Sequence, residues 1–172
     1  VQYEISILRR DGTPLHLLIS TSPLWDAAGQ PKGRLNVIVD ITRRKQLEEQ
    51  NRLQVTALEA AANAIVITDR AGNIRWVNPA FTALTGYTAE EAIGQNPRVL
   101  KSGVHASSYY RDMWETILSG RVWHNEVVNR RKDGSFYTEE MTITPVRGAD
   151  CEIGHFVAIK QDVTERKRAE EE

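Results

Sequence analysis

Three marks in this chain recur at a single offset of 122 residues, the distance from Arg10 to Lys132. Arg10-Asp11-Gly12 returns as Lys132-Asp133-Gly134, and Pro23 returns as Pro145. Asp40-Ile41-Thr42-Arg43-Arg44-Lys45 returns as Asp162-Val163-Thr164-Glu165-Arg166-Lys167. One spacing kept by separate marks is the signature of a tandem module. The second copy reads as complete, whereas the first begins at Val1 inside its own final third. The expectation is one whole module and the tail of another, a fragment of a longer protein. At 172 residues there is room for one domain of ordinary size plus such a fragment.

Charge excludes some functions. With 22 basic and 23 acidic residues the net charge is −1, so no field attracts nucleic acid or an anionic membrane. The apolar runs Ala60–Ala62 and Ala64–Ile67 are too short to span a bilayer, and no signal-peptide pattern appears. The expected location is cytoplasmic without direct membrane contact, whatever anchors the parent protein. One cysteine, Cys151, rules out an internal disulfide and leaves too few thiols for a cysteine-based metal site.

Alternation predicts three strands in the first copy, around Ile5–Leu8, Leu15–Thr21 and Leu35–Ile41, with a hairpin turn at Arg10-Asp11-Gly12. From Ile41 to about Ala62 the period lengthens. Leu47, Asn51, Val55, Leu58 and Ala62 fall along one helical face, a seam that either pairs with its twin in a coiled coil or packs on its own domain. The second copy opens with strands Ala64–Asp69 and Ile74–Val77, and three short helices follow. Asn78 caps the first, with Pro79 at its first position and Gly86 past its end. Thr88 and Glu91 form a capping box for the second, closed by Gly94. In the third, capped by Ser107 or Ser108 and stopped by Gly120, Tyr110, Met113, Trp114, Ile117 and Leu118 share one face. Strands Val122–Asn129, Ser135–Pro145 and His155–Gln161 close the module, and Glu165 onward opens another helix.

This pattern resembles a PAS sensor domain with its C-terminal PAC motif. The resemblance rests on Asn78-Pro79-Ala80-Phe81, Leu84-Thr85-Gly86-Tyr87, Glu90-Glu91, Gly94-Gln95-Asn96-Pro97, Asn129-Arg130-Arg131-Lys132-Asp133-Gly134 and Asp162-Val163-Thr164. It implies an α+β fold: a five-stranded antiparallel sheet with short helices on one face, flanked by signalling helices. The expected division is 1–42 for the closing strands of a truncated first PAS domain and 43–62 for a connecting helix. A complete second PAS domain then fills 63–164, and 165–172 begins an exit helix.

A sheet covered by helices on one face encloses a cleft suited to a small ligand. Phe81, Leu100, Tyr110, Trp114, Asn129, Met141 and Ile143 are the expected cofactor-binding residues, with Val66, Leu84, Val99 and Val128 as further lining. Asn129 stands out because its amide both donates and accepts, whereas the aligned position in the first copy is Ile7. The region is also similar to the FAD-binding PAS domains of redox sensors that regulate nitrogen fixation and methane oxidation. Tyr110, Trp114, Trp123 and Asn129 stand at matching places, and FAD is the implied cofactor, an empty cleft the alternative. Two positions depart: Val66 stands where those nitrogen-fixation sensors have a serine, and Pro97 where they have a glutamate. Pro97 also stands where a light-oxygen-voltage domain would need its adduct-forming cysteine. Cys151 falls in a turn away from the cleft, and His105 and His124 are expected to be exposed.

No enzyme-like grouping of nucleophile, base or metal ligands is present, so no catalysis is expected. The implied role is a regulatory sensor of a small ligand or redox state. Asp162 and Thr164, with Asp40 and Thr42 in the first copy, would relay the signal toward an output domain outside this chain. That output would be a histidine kinase of a two-component system or a cyclic-di-GMP enzyme, and a homodimer is the expected assembly. The alternative is a ligand-free dimerisation and relay module.

Overall fold

The computed structural model describes residues 1–171 and divides along the chain into two compact units, with the boundary between Thr56 and Ala57. The first unit is a three-stranded antiparallel sheet, β1 (Gln2–Leu8), β2 (Pro14–Trp25) and β3 (Pro31–Asp40), with β2 in the middle. α1 (Thr42–Glu59) follows, stopping short of the expected end at Ala62, which lies beyond the helix. The strands of this unit contain no buried residue, and β3 has no second neighbour among the described residues.

The second unit holds the core. β4 (Ala64–Asp69) and β5 (Ile74–Val77) lead into α2 (Pro79–Thr85), α3 (Ala89–Ala92), a 3₁₀ turn (Pro97–Leu100) and α4 (Ser107–Leu118). β6 (Trp123–Arg130), β7 (Phe136–Arg147) and β8 (Ile153–Asp162) then complete an antiparallel sheet in the order β5-β4-β8-β7-β6, and α5 (Thr164–Glu171) leaves it. The α+β architecture with short helices on a five-stranded sheet is thus as the sequence predicts. Strict alternation along β7 turns Tyr137, Glu139, Met141 and Ile143 inward. Val66, Ile74, Phe81, Leu100, Ile117 and Phe156 are among the residues sealed between this sheet and the helices.

The helix signals act through identifiable bonds. Asn78 Oδ1 accepts the Phe81 N–H, Pro79 occupies the first helical position, and Gly86 ends α2 at φ +78°, where a side chain would be strained. Thr88 and Glu91 form the reciprocal capping box of α3. α4 differs from expectation at its start. Ser107 is already helical, Ala106 is the N-cap, and no side chain caps the turn, the Tyr109 N–H going instead to the Ala106 carbonyl. Leu118, expected inward, is 48% exposed, because the helix ends there and its last residue overhangs the sheet. The 3₁₀ turn at Pro97–Leu100 has no counterpart among the predicted elements, since four residues are too few to show a period.

The repeat extends to hydrogen bonding. β1–β2 pairs Ile7 with Leu15, and β6–β7 pairs Asn129 with Tyr137, which is the same register displaced by the repeat length. Pro23 and Pro145 each lie past the end of the neighbouring strand, whose last pairs are Gln2 with Ser20 and Trp123 with Ile143. There a missing N–H leaves nothing unpaired. At the exit, Asp40 Oδ1 accepts the Thr42 N–H while Thr42 Oγ1 accepts the His16 N–H, both at 2.9 Å. Asp162, Thr164 and the Thr138 N–H repeat this at 2.9 and 3.0 Å.

Candidate functional site

A cavity of about 150 Å³ lies between the inner face of the second sheet and α4. Its floor comes from Val66 and Thr68 on β4, Phe156, Ala158 and Lys160 on β8, Met141 and Ile143 on β7, and Val127 and Asn129 on β6. Tyr110, Met113, Trp114 and Ile117 of α4 form one wall, and Gly72, Asn96, Pro97, Arg98 and Lys101 form the mouth. Gly72 is required there. Its φ is +84°, and a Cβ would stand 2.9 Å from the Trp114 ring. Trp114 is only half-buried and meets Phe156 edge to face, with ring centroids 5.9 Å apart.

Five of the seven residues expected to bind a cofactor therefore share one cavity: Tyr110, Trp114, Asn129, Met141 and Ile143. Phe81 and Leu100 do not line it. Each is 1% exposed and sits in the general core, because the inward faces of α2 and the 3₁₀ turn pack directly on their neighbours. Leu84, Val99 and Val128 are also off the lining, and Val128 loses its place to Val127 by the alternation of β6.

The polar groups are denser than the sequence suggested. Lys160 and Glu139 are 3% and 0% exposed and form an ion pair at 2.5 Å, and Asn129 Nδ2 donates to the same Glu139 oxygen at 3.0 Å. The other Glu139 oxygen and the hydroxyls of Tyr110 and Tyr137 are buried without partners. Orphaned buried groups need an explanation, and for Tyr110, which lines the cavity, a bound ligand is one. Burial first, and the Glu139 charge second, raise the Tyr110 and Tyr137 phenols above their ordinary range, so both remain donors at neutral pH. Lys101 Nζ lies 3.6 Å from the Tyr110 ring centroid. Glu139 and Lys160 were missed although the signal existed, since Glu139 alternates with Met141 and Ile143, and Lys160 with Phe156 and Ala158.

Histidine 105 corrects an expectation of exposure. It is half-buried, stacks on Tyr109 at 4.3 Å, and its Nε2 accepts the Val128 N–H at 2.8 Å. β6 is an edge strand, and this ring satisfies a backbone donor that no strand can. Tyr109 donates to the Glu126 carbonyl at 2.6 Å, and burial pushes its phenol up to about 12. His124 is exposed, and Cys151 is exposed in the β7–β8 turn. The relay residues lie outside the cavity. Asp162 joins Arg131 at 2.7 Å, and Asp40 joins Arg9 at 3.5 Å. Arg131 also donates to the Leu84 carbonyl and covers the Tyr137 ring at 4.5 Å, tying α2, the buried face and the exit motif together.

The donor set suits a flat heterocycle with carbonyl and N–H groups along one edge, met by Asn129, Lys160 and Tyr110. Arg98 and Lys101 at the mouth suit an anionic tail. FAD has both parts, so its chemistry fits. The volume matches a single aromatic ring rather than the ~300 Å³ or more of most ligand pockets. A three-ring system would require the cavity walls to open. No helix among the described residues is long and apolar enough to cross a membrane.

A family model for the PAS domain matches residues 1–43 and 62–165. The chain is 38% identical over 109 residues to the nitrogen fixation regulatory protein of Klebsiella oxytoca, covering 63% of this chain and 22% of that protein. It is 33% identical over 91 residues to a blue-light-activated histidine kinase of Brucella canis, covering 53% of this chain and 19% of that one. The chain thus spans about a fifth of these curated relatives. Among solved structures, an RNA-binding light-oxygen-voltage receptor aligns with a TM-score of 0.66 at 26% identity, covering 87% of this chain and 39% of that one.

Proposed function

The chain belongs to the PAS domain family, and from that premise we propose that its second unit is a redox-sensing module that binds FAD and carries no catalysis of its own. The observation that carries this reading is Asn129, a buried amide facing the cavity where the first copy has Ile7. Similarity to a nitrogen fixation regulatory protein supports it. Asn129 and Lys160 would hold the ring edge, Tyr110 would donate to it, Trp114 would cover it, and Arg98 and Lys101 would meet the phosphates. Bound FAD would supply a two-electron redox centre.

Tyr137 pairs across the sheet with the cavity-lining Asn129, and Arg131 links its ring to Asp162, so a change at Asn129 would reach the first turn of α5 through these side chains. Asp162 and Thr164 then set the angle at which α5 leaves toward an output domain of the parent protein, a histidine kinase or a cyclic-di-GMP enzyme. Purified chain mixed with FAD and freed of excess should absorb at about 450 nm. Asn129→Ala should lose most of that colour. A chain that retains no flavin overturns the reading. The size of the cavity favours one alternative, a ligand-free module that relays motion between neighbouring domains.

A further inference from the structure

Three positions on the cavity floor separate the second copy from the first. Asn129, Glu139 and Lys160 stand where the first copy has Ile7, Leu17 and Ile38, in the same strand register. A buried ion pair is costly to desolvate, and well-packed aliphatic residues commonly replace one without loss of stability. Leu17 and Ile38 carry no charge at the matching places, in a unit where Leu17 is partly buried and Ile38 is 60% exposed. The pair in the second copy therefore calls for a role other than packing.

Its orientation supplies one. Lys160 lines the cavity, whereas Glu139 is sealed behind it, so the positive end of the pair faces inward. An ammonium has three N–H donors, and the bond to Glu139 uses one. The only other charged lining residues are Arg98 and Lys101, again cations, and no carboxylate lines the cavity.

We propose that Lys160, held by Glu139, is a charge-setting contact that favours the anionic state of the occupant and so raises the reduction potential of bound FAD. This rests on the flavin reading above. Lys160 would meet the single negative charge left when two electrons from an added chemical reductant and one proton from solvent enter the ring. Glu139 is a positioning residue that moderates that charge.

The test is spectroelectrochemical titration of the full chain loaded with FAD, at one fixed pH. Lys160→Met should weaken the preference for the reduced anion about tenfold, a fall of ~30 mV for a two-electron couple. Lys160→Arg should restore most of it. Glu139→Gln should move the potential upward, since it removes the compensating charge, whereas a purely structural role would move both variants the same way. An unchanged potential in loaded Lys160→Met, or a downward shift in Glu139→Gln, overturns the proposal and leaves the flavin reading intact. If Lys160→Met does not load, Glu139→Gln and Lys160→Arg decide by the same signs. A wild-type chain without flavin overturns both.

Discussion

Asn78 joins more of the second unit than any catalytic-looking residue does. Its Oδ1 accepts from Ile65 and Phe81, and its Nδ2 donates to the carbonyls of Leu58 and Asn63, all behind a side chain 1% exposed. Asn78→Ala removes a helix cap and strands buried backbone groups, so a loss of about 2–4 kcal/mol is expected. Urea denaturation measures it, and a loss under ~1 kcal/mol would mean the bonds are replaced by water. Sequence alone identified the cap but not the three backbone partners, which arrive from the preceding helix, loop and strand. Trp114 teaches a related lesson. Its inward direction was legible from helical spacing, but the ring is only partly buried because it borders a cavity. Trp114→Ala should therefore cost less than the ~3–5 kcal/mol of a sealed aromatic, while Ile117→Ala, 2% exposed one turn on, should cost about 2–5 kcal/mol. Thermal or chemical denaturation of the two variants side by side checks the order. Glu139 and Lys160 show the limit from the other direction. Alternation placed them inward, but charged residues on a strand are read as solvent-facing unless a partner is known, and theirs lies 21 residues away.

At the scale of elements, punctuation was legible wherever a side chain or a backbone constraint performs it. The Asn78 cap, the Thr88–Glu91 box and the left-handed Gly86 all act locally. The start of α4 was misplaced because a backbone carbonyl does that work, and no residue type advertises it. The capping box yields a pH prediction. Lys132, bonded to Glu91 at 2.5 Å, is the main cause that holds this carboxyl below its ordinary value of 4.5, and the Thr88 N–H adds to it. A carboxylate with a lowered folded pKa contributes stability that is fully present above the unfolded value and is lost as pH falls through the folded one. Glu91 is exposed, so the effect is small, but its site can be watched directly. The Glu91 carboxyl resonance should titrate below pH 4.5, and Lys132→Met should return it toward that value. A resonance already titrating at the ordinary value in the wild-type chain would remove the ion pair from solution.

Across the whole molecule, the offset visible in the sequence became one register, one pair of prolines past a strand end and one exit joint in each unit. The fold was legible because these marks are backbone requirements. The site was only half legible, because a cavity depends on side chains from six separate segments. The same comparison governs how the chain should associate. In the first unit Leu35, Val37, Ile38 and Val39 are each about half exposed, and β3 offers an unpaired edge within the described residues. Unpaired strand edges and contiguous apolar faces promote pairing with another chain. α1 adds Leu47, Val55 and Leu58, all exposed along the line that includes Asn51, and a single polar residue in such a seam favours one register of a helix pair. The second unit has its own sealed core, and the edge of β6 is partly occupied by His105 and by the bridge from Lys101. Sedimentation should therefore find the full chain dimeric at concentrations where residues 53–172 are monomeric. Replacing Ile38 and Val39 by lysine should shift the full chain toward monomer if the strand edge is the contact, whereas lysine at Leu47 and Val55 should do so if the helix is. Equal association of the long and short forms would place the contact in the second unit instead.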